Sequence, residues 1–294
     1  MQIIRRHHIH AIAWHHIKSA VPADWEATAY SVEERLGRLE FSDRSGVRGL
    51  FSWEPCKREP DTETMMLSFL RSRESGVPDT HPADLKTRMV GEFKLGFARA
   101  GSPCQAICYR PERKTLLRWI FPDAQEDRLT SVYCPILQSC VPNGGSPREY
   151  RLFGINVSVP ADYEIEQMNV FPANVRMLFE SKSKQRLVIR RWGLPELILG
   201  GMDLAAFYEK FLRSEGAIVI KVQDGLTWRG MPALHALYHA RGEHQMDRFM
   251  GHLWKNGAAL LWHDTTEKRI YSIEQIGPPE SLLLDPEKVV IAHG

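Results

Sequence analysis

Long apolar runs and an excess of one charge are both missing from this sequence. Apolar runs such as AIVI are far too short to cross a bilayer. The 38 cations nearly balance the 36 acids, and the net charge of +2 gives no whole-chain sign of a nucleic-acid or membrane-surface protein. Histidines interrupt residues 1–18, so this stretch is interpreted as a strand and not as a signal peptide. We expect a soluble cytoplasmic protein with no membrane partner and no nucleic-acid partner.

The sequence also lacks the motifs of the commonest enzyme classes. Gly-x-Gly-x-x-Gly, Gly-Lys-Ser/Thr, Gly-x-Ser-x-Gly and His-Glu-x-x-His are all absent. All five cysteines lie in the first half of the chain, and the spacing of Cys104 and Cys108 does not match the Cys-x2-Cys knuckles of zinc ribbons. An odd number of scattered cysteines indicates reduced thiols that serve core packing. These absences leave enzyme activity open and favour a protein without it.

One short phrase, by contrast, occurs twice. VPADWE at residues 21–26 returns as VPADYE at residues 159–164. Three further pairs follow in the same order: the segments that end at Trp53 and Trp192, the segments from Asp61 and Asp203 that share FLRS, and the segments that begin at Trp119 and Trp262. Four matches in register indicate a duplication. They predict one α+β repeat over residues 1–140 and a second over residues 150–294, joined by a linker rich in proline and glycine at residues 141–149.

Each repeat shows an opening strand, a hairpin, an amphipathic helix and then further strands. The helices start at Asp61 and Asp203 and carry Phe69 and Phe211 on their apolar faces, so we expect both phenylalanines to be buried. Residues 129–137 are predicted to form another strand. The predicted fold class is α+β, with two homologous domains, each an antiparallel β-sheet covered by a principal helix.

The opening of the second repeat, F-x-I-x-V-x-V-P-x-D-Y, is followed by a hairpin and a helix. In this order of elements each repeat resembles the PsbP-like α/β sandwich fold, known from extrinsic photosystem proteins and from a nuclear-transport factor that binds a small GTPase. The resemblance implies a role in binding other proteins and transfers no functional residue.

The second repeat also holds a candidate site built on histidines. Asn256–Gly257 favours a two-residue hairpin turn, which would place His252 and His263 diagonally on one face of the sheet. Aligned from Trp119 and Trp262, the first repeat has isoleucines at both places, so the second repeat either gained a site or exposes this face. The candidate pocket or interface comprises His252, His263, Trp254, Met250 and His239.

Two interpretations of these histidines remain open. His252 and His263 are the candidate ligands of a single transition metal, and His235 or His239 could supply a third ligand. Alternatively, they are semi-buried side chains with ordinary hydrogen bonds. A separate group at the N-terminus, His7 to His16, would bind metals only adventitiously if it is exposed.

Residues 182–191 contain five cations and no acid, which fits either a solvated hairpin tip or a phosphate-binding surface. Three functions follow from the sequence. The favoured one is a non-catalytic binding or adaptor protein, or an accessory subunit, with a protein partner and no cofactor. The alternatives are a metal-dependent enzyme that uses the second-domain histidines and a nucleic-acid-binding module.

Overall fold

The computed structural model describes residues 9–72, 81–145, 147–241 and 254–277. Within these ranges the chain is mostly β, with nineteen strands in three sheets. The predicted α+β class, with one principal helix covering each sheet, is therefore wrong. The helices are short and cover only part of a sheet face, while residues expected as single strands or as linker build a third sheet. The chain divides into two compact units between Asn156 and Val157.

The strands are β1 Ile9–Trp14, β2 Ile17–Pro22, β3 Glu26–Tyr30, β4 Gly37–Asp43, β5 Gly46–Pro55, β6 Lys86–Val90, β7 Phe93–Phe97, β8 Cys104–Arg110, β9 Thr115–Phe121, β10 Val141–Pro142, β11 Arg148–Leu152, β12 Ile155–Val159, β13 Tyr163–Phe171, β14 Asn174–Ser181, β15 Arg186–Gly193, β16 Ile218–Trp228, β17 Met231–Arg241, β18 Trp254–Asp264 and β19 Arg269–Gly277. The helices are α1 Thr62–Arg71, α2 Glu126–Arg128, α3 Cys134–Ser139, α4 Pro195–Leu199 and α5 Leu204–Ser214. A 3-10 turn covers Pro82–Asp84, and π-helical turns join α2 to α3 over Leu129–Tyr133.

The two seven-stranded sheets have the same strand order. One runs β3-β4-β5-β9-β8-β7-β6 and the other β13-β14-β15-β19-β18-β17-β16. In each sheet the third and the last strands lie side by side, and the longer helix, α1 or α5, follows the third strand. The two VPAD segments form matching turns. In the first, the N–H of Trp25 donates to the Pro22 carbonyl at 3.0 Å, and in the second, the N–H of Tyr163 donates to the Pro160 carbonyl at 3.1 Å.

One of the four sequence matches does not fall on corresponding strands. Trp119 lies in β9, next to the third strand of its sheet, whereas Trp262 lies in β18, one place further out. The alignment of His252 and His263 with isoleucines depends on this pair, so the structure gives it no support. Duplication remains a prediction that the shared strand order suits.

The third sheet has five strands in the order β10-β2-β1-β11-β12. Residues 141–149, expected as a linker, supply β10 and the beginning of β11. Asn143 holds this segment in place and is fully buried. Its Nδ2 donates to the Glu149 carbonyl at 2.7 Å, and its backbone N–H donates to the His16 carbonyl at 3.2 Å. The proline and glycine residues therefore shape a path along a sheet edge.

Two local predictions are wrong, one about the buried faces of the longer helices and one about the type of a whole segment. Phe69 and Phe211 are only half-buried. The buried helix residues are instead Met66 and Leu70 in α1 and Phe207, Tyr208 and Leu212 in α5. The predicted strand at residues 129–137 is helical, since its buried residues Leu129, Tyr133, Ile136 and Leu137 follow the helical period.

The expected hairpin turn at Asn256–Gly257 is also wrong, since β18 passes straight through these residues. Asn256 pairs with His239 and Gly257 with Tyr238 on one side, and both pair with β19 on the other. Pairing on two sides outweighs the local turn preference. Glycine is needed here for a different reason. A Cβ on Gly257 would lie 2.4 Å from the Tyr238 ring, which covers the bare backbone.

Replacing Gly257 by alanine should therefore destabilise the second unit. The added methyl group displaces the Tyr238 ring, and overpacking of this kind lowers the free energy of unfolding by about 1–3 kcal/mol. Denaturant unfolding followed by intrinsic fluorescence measures the change. Gly145→Ala is the control, because its Cβ would meet only the Pro147 carbonyl at 3.5 Å. A loss below about 0.5 kcal/mol at Gly257 would contradict the packing described.

Candidate functional site

Helix α5 covers only part of its sheet and leaves a pocket beside its C-terminal end. The helix packs through Tyr208 and Leu212 on an apolar cluster that includes Leu234 of β17 and Leu261 of β18. Next to it, above β14, β15 and β19, lies a space of about 60 Å³. We call it the α5 pocket and define it by its charged lining residues, Arg176, Arg186, Arg190, Glu215, Lys255 and Glu274.

The strand register explains how the arginines reach one face. Alternation along β15 turns Arg186, Val188 and Arg190 to the side on which α5 packs. Arg176 of β14 lies directly opposite Arg190. The register thus places two guanidinium groups side by side on this face, and Arg176 Nη1 donates to Gln167 Oε1 at 3.0 Å.

Arg190 is held in place by a buried carboxylate. Its side chain is 8% exposed, and its Nε donates to Glu274 Oε1 at 3.0 Å. Glu274 also accepts from Ser272 Oγ at 3.0 Å and from the Tyr238 hydroxyl at 3.2 Å. The guanidinium lies 4.8 Å from the centroid of the Phe211 ring, within reach of a cation–π contact. The charge therefore stands at a fixed place in the wall of the pocket.

A second carboxylate reaches Arg190 from the end of the helix. Arg190 Nη2 donates to Glu215 Oε2 at 3.4 Å, and the Glu215 side chain is 51% exposed. Glu274, by contrast, is 3% exposed. Arg190 thus has a buried carboxylate partner at 3.0 Å and a half-exposed one at the longer distance of 3.4 Å.

The protonation states around Arg190 are fixed at neutral pH. Burial, reinforced by the charge of Glu274, raises the pKa of both Tyr208 and Tyr238 well above the ordinary value. Burial alone would lower the pKa of Arg190, but Glu274 and Glu215 outweigh it and leave the pKa raised. Tyr238 consequently remains a donor to Glu274, and Arg190 remains a cation. This arrangement can hold an anion.

Of the predicted histidine site, the structure separates His239 from His263, whereas the pair His252 and His263 is not tested. His239 faces Asn256 across β17 and β18, and His263 is seven residues further along β18, an odd number that puts it on the opposite face. Trp254 begins β18, while Met250 and His252 lie outside the described residues. In the described ranges no group of three His, Cys, Asp or Glu side chains is placed to hold a metal ion. The role proposed for His252 stays a prediction.

Two of the N-terminal histidines serve the first unit's core. His15 is fully buried in the turn between β1 and β2, against Trp14 and Trp53. Burial, helped by nearby His16 and Arg148, lowers the pKa of His15 to about 3. His16 Nε2 lies 2.5 Å from the Glu34 carbonyl, and its Nδ1 lies 3.3 Å from the guanidinium of Arg113. Arginine only donates, so Nδ1 accepts and Nε2 carries the proton.

The sequence contained part of the signal for the α5 pocket. Arg186 and Arg190 both belong to the basic run 182–191, and their spacing of four puts them on one strand face. Glu274 lies 84 residues from Arg190 in sequence, and no local pattern joins the two. The basic run therefore marks Arg186 and Arg190, but it gives no sign of Arg176, Lys255 or the carboxylates that hold Arg190.

No protein-family model and no curated protein matches the sequence. Several solved structures show a likeness, and three of them are described here. The protein of unknown function PA94 from Pseudomonas aeruginosa is 16% identical with a TM-score of 0.26, over 47% of this chain and 87% of that one. The T6SS immunity protein TplEi from Pseudomonas aeruginosa, complexed with "L" peptide, is 10% identical with a TM-score of 0.34, over 96% and 94%. A chain of the Tle4-Tli4 complex is 10% identical with a TM-score of 0.33, and the match covers 95% of this chain and 92% of that one.

At these TM-scores the likenesses assign no function to the chain. None of the three is described as PsbP-like, so the resemblance to that fold gains no support from them. As to membranes, none of the helices within the described ranges has the length and apolarity of a membrane span.

Glu274→Met should strongly destabilise the second unit, because it leaves the buried charge of Arg190 with only the exposed Glu215. Removing one member of a buried pair costs about 3–5 kcal/mol. The double variant Arg190→Met, Glu274→Met removes both charges and should be more stable than the single variant. Urea unfolding of the three proteins tests this. Equal stability of the single and double variants would show that an Arg190 without Glu274 carries no penalty, which contradicts this prediction.

The buried His15 should make the first unit sensitive to mild acid. Its pKa is depressed in the folded state, so its stabilising effect is complete above about pH 6.5 and is lost as pH falls from there towards about 3. His15→Asn suits the left-handed backbone at φ 38° and removes the titration. Free energies of unfolding measured between pH 7 and pH 5 should fall less in the variant. Identical slopes would contradict the assignment.

Proposed function

We propose that this is a non-catalytic binding protein whose second unit receives an acidic segment of a protein partner in the α5 pocket. The observation that carries the proposal is Arg190, a buried cation fixed by Glu274 and turned towards a space that other cations surround. Arg176, Arg186 and Lys255 line the same space. Guanidinium groups in such a setting match the planar geometry of a carboxylate.

The size of the pocket limits what can enter it. A volume of about 60 Å³ corresponds to roughly four water molecules. Pockets for complete small molecules or cofactors are several times larger, on the order of 300–1,000 Å³. A single charged group on a larger partner fits the space, and the proposal requires no cofactor.

The apolar part of the lining favours a polypeptide over a free ion. Phe211, Leu212 and Ile276 border the same space as the arginines. An acidic side chain with an apolar neighbour would satisfy the cations and cover these residues at once. Mixed anchors of this kind, with a charged group and apolar contacts, are common at the centre of protein interfaces.

The hydrogen bonds around Glu274 support binding over turnover. Glu274 Oε1 accepts from Arg190 and Ser272, and Oε2 accepts from Tyr238. A general base needs an oxygen that can reach the proton of a substrate. Glu274 is buried and occupied by three donors, so it serves to position Arg190.

Charge reversal at the rim of the pocket should abolish partner binding while the fold is kept. Arg176→Glu with Lys255→Glu turns two half-buried cations of the lining into acids. A photo-crosslinking residue at Ala240, which lines the pocket, captures the partner from the native source, and mass spectrometry identifies the protein. The charge-reversed protein should lose this crosslink at least tenfold.

The matched control reverses two exposed lysines of the same unit, Lys210→Glu with Lys221→Glu. It changes the net charge equally and should leave the crosslink unchanged. If both double variants lose the crosslink to the same extent, overall charge and not the α5 pocket governs binding. A crosslink that survives in the Arg176, Lys255 variant also contradicts the proposal.

A further inference from the structure

We propose that Arg190 is the anchor for one carboxylate group of the partner, and that Glu215 holds the place of this carboxylate in the free protein. On binding, the incoming carboxylate replaces Glu215 and Glu274 stays where it is. This inference rests on the proposed function of the α5 pocket and adds its ligand class and its internal competitor.

The first argument is the difference between the two acidic partners of Arg190. Glu274 is buried, lies 3.0 Å from Nε and has two further donors. Glu215 is half-exposed and lies 3.4 Å from Nη2. A solvent-screened contact of this length contributes little to stability. Glu215 can therefore leave at small cost, whereas Glu274 cannot.

The second argument is the position of Glu215 at the end of a helix. It is the C-cap residue of α5, where the helix dipole disfavours a negative charge. Gly216 follows with φ 77°, its N–H donates to the Arg213 carbonyl at 3.0 Å, and the Ala217 N–H donates to the Leu212 carbonyl at 2.9 Å. This is the Schellman arrangement of a helix end. It sets the backbone of Glu215 beside the pocket mouth independently of Arg190.

The third argument concerns which anion fits. The pocket already contains the fixed negative charge of Glu274 beside Arg190. A dianionic phosphate would meet stronger repulsion from that carboxylate than a group with a single negative charge. Exchange of one carboxylate for another leaves the charge around Arg190 unchanged. A carboxylate is thus the ligand that the free structure already displays.

The test uses the full chain and three probes: the peptide acetyl-Leu-Asp-Leu-amide, its Asn counterpart, and inorganic phosphate. Calorimetric titration at low salt measures each dissociation constant for wild type, Glu215→Gln and Glu209→Gln. Glu209 is the matched control, an acid on the same helix that pairs with Arg213 on the surface. The Asp peptide should bind Glu215→Gln about fivefold more tightly than wild type, the gain expected from removing a weak competing ion pair. The control should bind like wild type.

Each other outcome overturns a defined part of the inference. Equal affinity of wild type and Glu215→Gln for the Asp peptide removes the place-holding role, while the crosslink at Ala240 still decides the proposed function. Phosphate binding tighter than the Asp peptide, or equal binding of the Asn peptide, removes the carboxylate assignment. No binding by any probe overturns the inference as a whole. Thermal unfolding of Glu215→Gln, expected within a few degrees of wild type, confirms that the variant is folded.

Discussion

The ion pair between Arg190 and Glu274 is the interaction on which the second unit depends. It joins two neighbouring strands, β15 and β19, and through the Tyr238 hydroxyl it reaches β17. A charge this deeply buried is tolerated only with a partner and further hydrogen bonds, and Glu274 has both. The same contacts that make the cation acceptable in the interior also fix its direction, so one set of bonds both offsets the burial of the charge and orients Arg190 in the wall of the α5 pocket.

Sequence alone predicted the outline of the strands and the place of the longer helix in each seven-stranded sheet. It failed where tertiary pairing overrides local preference. Asn256–Gly257 has the composition of a turn, yet β17 and β19 both pair with it, and residues 129–137 were assigned a period of two although their buried side chains follow the helical period. The wrong fold class has a different origin, since the predicted helices are short and the third sheet is built from residues expected as single strands or linker.

The candidate site was harder to predict because its parts are distant in sequence. Arg186 and Arg190 stand in one basic run, but Arg176, Glu215 and Glu274 come from three other elements. Histidines close together suggest a metal or catalytic site from the sequence alone, whereas arginine and glutamate are common on any protein surface. Only the strand register shows that these residues share one face of the sheet, beside the C-terminal end of α5.

The strand order has a consequence for how the molecule is made. In the second unit β15 pairs with β19, the last described strand. The elements α5 and β16 to β18 lie between these two strands in the sequence. Such a non-local pairing closes late, because a long loop loses much of its freedom before any contact rewards it. Before β19 pairs with β15, Arg190 lacks Glu274, and its side chain is hydrated and has no fixed conformation. The sheet and the α5 pocket are therefore completed in the same step, and a chain that ends before β19 lacks the carboxylate that holds Arg190 in place.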